Sequence, residues 1–181
     1  MRPRISVFIA TSLDGYIARR DGSVDWLGAP ASDPAEDYGF ASFMATVDLL
    51  VIGRVSFEAA LEFPTWPYAG MRVLVLSSRP VPIPLQLLDV VSSDSGPPQE
   101  LVTRDPVAEA KHVYVDGGIT IQRFIASGLV DEMTITWVPV LLGEGRPLFG
   151  MTGYDVPLEF KDSRSWSNGY LQTTYGVRRE D

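Results

Sequence analysis

Three short segments of this chain carry residue types that bind phosphate groups. They are Gly53-Arg54-Val55-Ser56, Ser77-Ser78-Arg79 and Gly117-Gly118-Ile119-Thr120. Hydroxyl groups, guanidinium groups and the free N–H groups at the start of a helix all bind phosphate oxygens. Each segment alone could equally be a turn, a helix cap or an exposed stretch with a solvated arginine. Phosphate binding is the more specific prediction, because each of the three segments directly follows a predicted strand.

Each segment follows an apolar run that is typical of a buried strand. The three runs are Asp48–Gly53, Arg72–Ser77 and Val113–Asp116. Helical sequence follows the first run at Arg54–Leu61. It follows the third run as well, where Ile121, Phe124 and Ile125 have helical spacing and Gly128 is a plausible C-cap. In an open α/β sheet, ligands bind outside the carboxyl ends of the strands. The three segments are therefore predicted to converge on one extended anion, such as a dinucleotide.

The rest of the chain predicts the fold class. Further strands are predicted at Ile5–Ala10, Leu88–Val91 and Glu132–Pro139, with a helix over residues 34–45 capped by Asp33 and a short helix near residues 99–104 or 107–111. Phe160–Trp166 and Tyr170–Val177 are predicted to form a hairpin through Ser167-Asn168-Gly169. The prediction is an α/β fold with one mixed, mostly parallel sheet, helices on its faces and an antiparallel C-terminal hairpin at one edge.

Composition narrows the class of protein. The 181 residues, 45% of them hydrophobic, fit a single domain over residues 1–181. A net charge of −8 argues against nucleic-acid binding, and no apolar run is long enough to cross a membrane. The lack of cysteine and of a signal-like start favours the cytoplasm. His112 is the only histidine, so no metal site is predicted and a structural role is expected for it.

The ordered set of motifs resembles the dihydrofolate reductase-like superfamily. It is most similar to the C-terminal reductase domain of the bifunctional deaminase-reductase of riboflavin biosynthesis and its stand-alone relatives. The matching stretches are Ser12–Ala18, Gly53–Phe57, Leu74–Pro80, Val115–Gly118, Gly128–Glu132 and Pro139–Gly145. The resemblance implies a three-layer αβα fold with a sheet of eight or more strands, NADPH as cofactor and a homodimer.

The resemblance also implies roles for the three segments. Gly53, Arg54, Val55 and Ser56 would hold the pyrophosphate or the adenosine 2′-phosphate, and Ser77, Ser78 and Arg79 would flank the adenine ribose. Gly117, Gly118, Ile119 and Thr120 would direct helix N–H groups to the pyrophosphate, and Ala10 would lie near the nicotinamide. The expected reaction is hydride transfer to a substrate.

The substrate side is less well defined by the sequence. Asp14 is the first choice for a polar catalytic residue, although Asp14-Gly15 is equally typical of a plain turn. The folate enzymes carry an acid on the first helix, and Asp33, Glu36 and Asp37 all lie in that region, but none of the three aligns unambiguously with it. Tyr16 occupies a position where the riboflavin enzymes usually have lysine. Tyr16, Trp26 and Phe43, and also Trp66, are candidates to line a pocket for a flat ring, with core or lid positions as the alternative.

Two functions follow from these observations, and a third possibility, a purely structural dimeric scaffold, would be favoured if Arg54 and Arg79 pointed away from a common cleft. The first is an NADPH-dependent reductase of a pterin- or pyrimidine-like heterocycle. The alternative is a non-catalytic, nucleotide-binding dimeric module that has kept the cofactor site. For either function, the apolar stretch Ile135–Val140 is expected to be an exposed sheet edge that a second copy covers.

Overall fold

The computed structural model describes residues 2–28 and 36–179 of the chain. The strands in this part are β1 (Arg4–Ser12), β2 (Tyr16–Ala18), β3 (Leu49–Gly53), β4 (Arg72–Leu76), β5 (Val91–Asp94), β6 (His112–Asp116), β7 (Glu132–Val138), β8 (Arg146–Pro147), β9 (Leu158–Ser165) and β10 (Leu171–Val177). The α-helices are α1 (Phe40–Met44), α2 (Arg54–Leu61), α3 (Pro98–Leu101) and α4 (Gly118–Ala126). Short 3₁₀ turns occur at Asp25–Gly28 and Leu85–Leu87.

Eight strands form one sheet in the order β5-β4-β3-β6-β1-β7-β10-β9. The six strands from β5 to β7 run parallel, and β10 runs antiparallel to both β7 and β9. Strands β2 and β8 form a separate two-stranded sheet. The predicted mixed sheet with an antiparallel C-terminal hairpin at one edge is confirmed.

The helices cover both faces of the sheet because the parallel strands are apolar on both sides. Leu49 and Val51 of β3 pack in one hydrophobic cluster with residues of α3 and α4. Leu50 and Ile52 pack in a second cluster with residues of α1 and α2. Full burial of one large apolar side chain contributes about 1.5–3 kcal/mol. This arrangement confirms the three-layer αβα architecture.

Helix α4 begins and ends at glycines, as the sequence predicts. Gly117 precedes it with a φ of 88° and a ψ of 132°, a conformation that is essentially restricted to glycine. Gly128 has a φ of 65°, and its N–H donates to the carbonyl of Ile125 at 2.9 Å. Leu129 N–H then donates to the carbonyl of Phe124 at 3.1 Å, which completes the helix end.

Two predicted elements differ from the structure. The first helix is described only as the five residues Phe40–Met44, and the carboxylate of Asp37 accepts hydrogen bonds from Gly39 N and Ala41 N before it. The expected cap Asp33 lies outside the described residues. The strand expected at Leu88–Val91 is β5 instead, because the pairing with β4 begins at Val91 and runs on through polar residues to Asp94.

The exposed edge is also not where the sequence suggested. Ile135–Val138 belong to β7, which is paired on one side with β1 and on the other with β10. The prediction that Ile135–Val140 form the edge is wrong, because the C-terminal hairpin returns alongside β7. Strand β9 is the edge at this end of the sheet. Among the helices of residues 2–28 and 36–179, none combines the length and apolar content that a membrane span requires.

Candidate cofactor and substrate site

The turns after β3 and β6 are in direct contact. Ile52 pairs with Asp116, so the glycines that follow the two strands lie side by side. A side chain built on Gly117 would come within 2.7 Å of Ser56 Oγ, and one built on Gly53 would come within 3.1 Å of Thr120 Oγ1. Each turn therefore places a hydroxyl group against the glycine of the other. The structure brings two of the three predicted segments together.

The third segment adjoins this pair of turns. Strand β4 is the other neighbour of β3, with Leu76 opposite Gly53, so Ser77 begins where the β3 turn begins. The hydroxyl of Ser77 accepts a hydrogen bond from Arg79 N at 3.0 Å, and Ser78 and Arg79 are exposed. All three segments thus lie along the carboxyl edge of β4, β3 and β6.

Two helices start at this edge. Neither the N-terminus of α2, after Gly53, nor that of α4, after Gly117, is capped by a side chain of the described residues. The first N–H groups of a helix have no partner within the helix, and they carry the positive end of its dipole. The edge therefore offers backbone donors to an anion without needing a net positive protein.

The two arginines of the segments have different surroundings. Arg54 donates to Glu58 Oε1 at 2.6 Å, one turn further along α2, so its charge is partly compensated within the helix. Arg79 has no such acidic partner among the described residues. The guanidinium that is open to a ligand is therefore that of Arg79.

A gap opens between β1 and β6 next to these turns. The two strands pair from Arg4 to Ser6, and beyond that point β1 pairs only with β7. Tyr114 spans the start of the gap by donating from its hydroxyl to the carbonyl of Phe8 at 2.8 Å. Ala10, predicted to lie near a nicotinamide, is half-buried beyond that point on β1. Asp116 ends the opposite strand.

Asp116 is the acidic group of this gap. Burial raises the pKa of its carboxyl group, and the nearby Gly117 N–H and Tyr114 hydroxyl only partly offset this effect. Tyr68 lies close by, where burial and the charge of Asp116 raise its pKa to about 12. The sequence predicted Asp116 as the last residue of a strand and gave no sign of its raised pKa. The burial that causes the shift comes from segments distant in sequence.

Asp14 occupies a different environment. Its carboxylate accepts hydrogen bonds from Ser12 Oγ at 2.6 Å, Leu142 N at 3.1 Å and Gly143 N at 2.7 Å. The bond from Ser12, followed by those from the two backbone N–H groups, holds the pKa of Asp14 below its ordinary value. Asp14 is therefore ionised at neutral pH and ties the turn after β1 to the glycine loop at residues 141–145.

The predicted aromatic residues divide into separate groups. Phe43 stacks on Phe8 at a ring distance of 4.9 Å and meets Tyr114 edge-on at 5.1 Å. Trp66 lies edge-on to Tyr68 at 5.2 Å. These rings form a wall on the α1 and α2 side of the sheet, near the gap.

Trp26 and Tyr16 lie apart from that wall. Trp26 is 7% exposed and belongs to a cluster with Val138 and Tyr170 that also touches Ala10. Tyr16 starts β2 and packs against Gly145, where an added side chain would come within 3.2 Å of Tyr16 Cβ. The indole N–H groups of Trp26 and Trp66 are buried without a hydrogen-bond partner in the described part of the chain.

Neutral polar side chains cover the sheet beneath these aromatic rings. Thr136, which pairs with Ala10 across β1 and β7, accepts a hydrogen bond from Gln172 Nε2 at 2.9 Å. Gln172 also donates to the carbonyl of Tyr38 at 3.0 Å. Thr136 and Gln172 are buried, so this part of the candidate site contains neutral hydrogen-bonding groups rather than charges.

Comparison with known proteins identifies the family. The family model described as the RibD C-terminal domain matches residues 3–172, a range that includes all three segments, the gap and most of the hairpin. The chain belongs to the RibD C-terminal domain family. Membership of the RibD C-terminal domain family indicates a reductase-type function.

Individual relatives agree with this assignment. The chain is 30% identical over 193 aligned positions to the uncharacterized protein YyaP of Bacillus subtilis, covering 95% of this chain and 94% of YyaP. A crystal structure from Shewanella sp. PV-4, whose name assigns it provisionally to riboflavin biosynthesis, has 38% identity and a TM-score of 0.89, covering 99% and 100% of the two chains. Dihydrofolate reductase of Enterococcus faecalis, in a complex with NADP(H), has 18% identity and a TM-score of 0.65, covering 97% of each chain. This last likeness shows that the RibD C-terminal domain shares the dihydrofolate reductase fold.

Proposed function

We propose that this protein is an NADPH-dependent reductase of a planar heterocycle of the pterin or pyrimidine type. The observation that carries the proposal is the contact between the two glycine turns, beside a gap that contains the half-buried carboxyl group of Asp116. A family of reductase domains and a fold shared with an enzyme complexed with NADP(H) support it.

The residues of the carboxyl edge fit a dinucleotide phosphate. The glycines at 53 and 117 let the two turns approach closely, with the hydroxyl groups of Ser56 and Thr120 between them. The uncapped N-termini of α2 and α4 would donate to a bound pyrophosphate. Ser77, Ser78 and Arg79 would hold the 2′-phosphate that distinguishes NADPH from NADH. Local donors of this kind explain how a chain of net charge −8 would bind an anionic cofactor.

The protein's own contribution to the chemistry is positioning and a proton. NADPH, when bound, supplies the hydride. Reduction of a C=N bond adds that hydride to carbon and requires a proton at nitrogen. Asp116 would deliver the proton from its carboxyl group and regain one from water, because burial raises its pKa and so favours the protonated form. Asp14, ionised and fully hydrogen-bonded, would instead position the loop at residues 141–145.

The walls of the site support a flat, largely uncharged substrate ring. Phe8 and Phe43 present stacked aromatic surfaces, and a flat ring would pack against them.

Two measurements test the proposal in sequence. Ligand binding stabilises the folded state by an amount that increases with affinity. Thermal unfolding is therefore expected at a higher temperature with NADPH than with NADH, because only NADPH carries the 2′-phosphate. NADPH oxidation is then followed by absorbance against a panel of pterins and pyrimidines. An unfolding temperature that neither cofactor changes would contradict the proposal.

Variants at one position test the proton donor. Asp116→Asn is expected to leave NADPH binding intact and to lower kcat about 10²–10⁴-fold. It should also remove the loss of rate that occurs as the pH rises above the pKa of Asp116. Asp89→Asn, at an exposed site before β5, is the matched control. Binding of NADPH without oxidation of any substrate would favour the non-catalytic module.

A further inference from the structure

The α1 face of the central strands is the surface on which the proposed substrate would lie. Side chains alternate along a strand, so Phe8 and Ala10 of β1 share this face with Thr136 of β7, the partner of Ala10. Tyr114 packs in the cluster of α1 and α2, and Asp116, two residues on, shares its face. From Phe8 and Tyr114 to the carboxyl ends of β1, β6 and β7, this face contains the carboxyl group of Asp116 and otherwise neutral side chains.

The segment that covers the α1 face carries no positive charge. Phe43 stacks on Phe8 and Tyr38 on Tyr170, which places residues 36–44 above this face. The sequence contains no lysine, arginine or histidine between Arg20 and Arg54. Its acidic residues in the same stretch are Asp21, Asp25, Asp33, Glu36, Asp37 and Asp48. Glu36 and Asp37 belong to the covering segment, so the charge next to the proposed substrate is negative.

The two acidic side chains of the covering segment are held by backbone N–H groups. Glu36 Oε1 accepts a hydrogen bond from Tyr38 N at 2.6 Å, and the carboxylate of Asp37 accepts from Ala41 N at 2.8 Å and Gly39 N at 2.9 Å. The bonds from Ala41 and Gly39 hold the pKa of Asp37 below its ordinary value, so it is ionised at neutral pH. Among the described residues, neither acid has a positively charged partner.

The arginines at the carboxyl end of the sheet are paired or lie away from this site. Three of them pair with acidic side chains, as Arg19–Asp25 at 2.7 Å, Arg20–Glu144 at 2.8 Å and Arg54–Glu58 at 2.6 Å. Arg79 belongs to the segment that would hold the 2′-phosphate of NADPH. Arg164 of β9 lies opposite Gln172 and so shares the α1 face, but it pairs with Asp162 at 3.4 Å, and two strands separate it from β1.

Arg146 lies on the opposite side of the sheet. It belongs to β8, and the partner strand β2 packs through Ile17 in the hydrophobic cluster that contains residues of α4. The guanidinium of Arg146 covers Gly22, where an added side chain would come within 3.0 Å of it. Its Nε donates to the carbonyl of Arg20 at 3.4 Å. The guanidinium is thus held against the turn that follows β2, away from the α1 face.

We infer that the substrate is a heterocycle that carries neither a phosphate nor a carboxylate group. The inference rests on the reductase function proposed above and specifies its substrate class. Proteins recognise phosphate and carboxylate groups mainly through arginine and lysine side chains. The α1 face instead offers neutral hydroxyl and amide groups, such as those of Thr136 and Gln172. Glu36 and Asp37 would repel an anionic substituent and favour a ring that is neutral or protonated.

Matched pairs of ligands test the inference. One pair is dihydropterin and dihydrofolate, which differ by a tail that carries carboxylates, and the other is uridine and uridine monophosphate. Calorimetric titration of the NADP⁺-loaded protein gives dissociation constants for both pairs, and NADPH oxidation gives kcat/KM for the first. The member without the anionic group is expected to bind about 10-fold more tightly in each pair. An anionic member that binds as tightly as its counterpart would overturn the inference, as would the absence of binding by both uncharged members.

Variants of one acidic residue connect the preference to the covering segment. Glu36→Lys reverses a charge beside Tyr38, and it is expected to reduce the preference for the uncharged ligands roughly 3-fold. Asp89→Lys makes the same change of charge at an exposed site before β5 and should leave the preference at its wild-type value. Thermal unfolding with NADPH shows whether both variants are folded. An equal preference in the two folded variants would count against the electrostatic basis of the inference and overturn it.

The results also separate this inference from the reductase function. Tighter binding of the uncharged ligands without oxidation of NADPH would support the inference and contradict the reductase function. Oxidation of NADPH with dihydrofolate at a kcat/KM equal to or above that with dihydropterin would support the reductase function and overturn the inference.

Discussion

Replacing Gly117 with alanine tests whether the two glycine turns form one unit. The backbone there has a φ of 88° and a ψ of 132°, which costs a residue with a side chain of order 1–3 kcal/mol. The new methyl group would also come within 2.7 Å of Ser56 Oγ. Overpacking of this kind costs about 1–3 kcal/mol. The expected loss in the free energy of unfolding is therefore about 2–6 kcal/mol.

Two further variants separate the backbone effect from the clash. Gly15 has a similar φ of 85°, but an added side chain there meets nothing within 4 Å. Gly15→Ala should therefore show a backbone effect alone. Adding Ser56→Ala to Gly117→Ala removes the hydroxyl that clashes, and it should recover about 1–3 kcal/mol.

Urea unfolding at equilibrium gives the free energies, and thermal unfolding with NADPH reports on binding. Gly117→Ala should lose the NADPH-dependent shift, whereas Gly15→Ala should keep it. A Gly117→Ala variant no less stable than Gly15→Ala, with no recovery on removing the Ser56 hydroxyl, would show that the turns do not press against each other.

Three other predictions follow from single contacts. Arg79→Ala should weaken NADPH binding about 10-fold and leave NADH binding unchanged, as measured by titration, because a charge-assisted hydrogen bond is lost. Burial lowers the pKa of His112, so its contribution to stability is present above about pH 6.5 and is lost as the pH falls. Urea unfolding between about pH 7 and 5 should therefore depend less on pH in His112→Gln. The hydrogen bonds that lower the pKa of Asp14 stabilise the fold above about pH 4, and this stabilisation is lost as the pH falls below that value. Asp14→Asn should therefore destabilise the protein at pH 7 and much less at pH 3.

The parts of the fold that the sequence predicts well depend on local patterns. The strand, glycine pair and helix from Val113 to Gly128 are recognisable in the sequence, because the spacing of apolar residues changes from strand-like to helical at the two glycines. The C-terminal hairpin is visible because Asn168-Gly169 separates two stretches rich in strand-forming residues. Strand β5 was misplaced because its residues after Val91 are polar, and only pairing with β4 makes them a strand.

The candidate site shows the same division between local and distant effects. The pairing of Arg54 with Glu58 lies at i,i+4 along one helix, so the sequence alone could have indicated it. The raised pKa of Asp116 could not be predicted, because Tyr68 and the closed end of β6 come together only in the folded sheet. The two backbone partners of Asp14, at Leu142 and Gly143, lie 128 and 129 residues further along the chain, which no local pattern reveals.

Because the C-terminal hairpin pairs with β7, the order of synthesis leaves one edge of the sheet temporarily unpaired. Every strand that leads into the two glycine turns, together with β7, is synthesised before residues 158–177 leave the ribosome. Until β10 arrives, the growing chain carries an unpaired edge at β7, with the apolar side chains of Met133 and Ile135 on it. Such an edge is a template for association with other chains. Addition of the hairpin moves the open edge of the sheet from this apolar strand to strand β9, whose charged side chains discourage pairing with other chains.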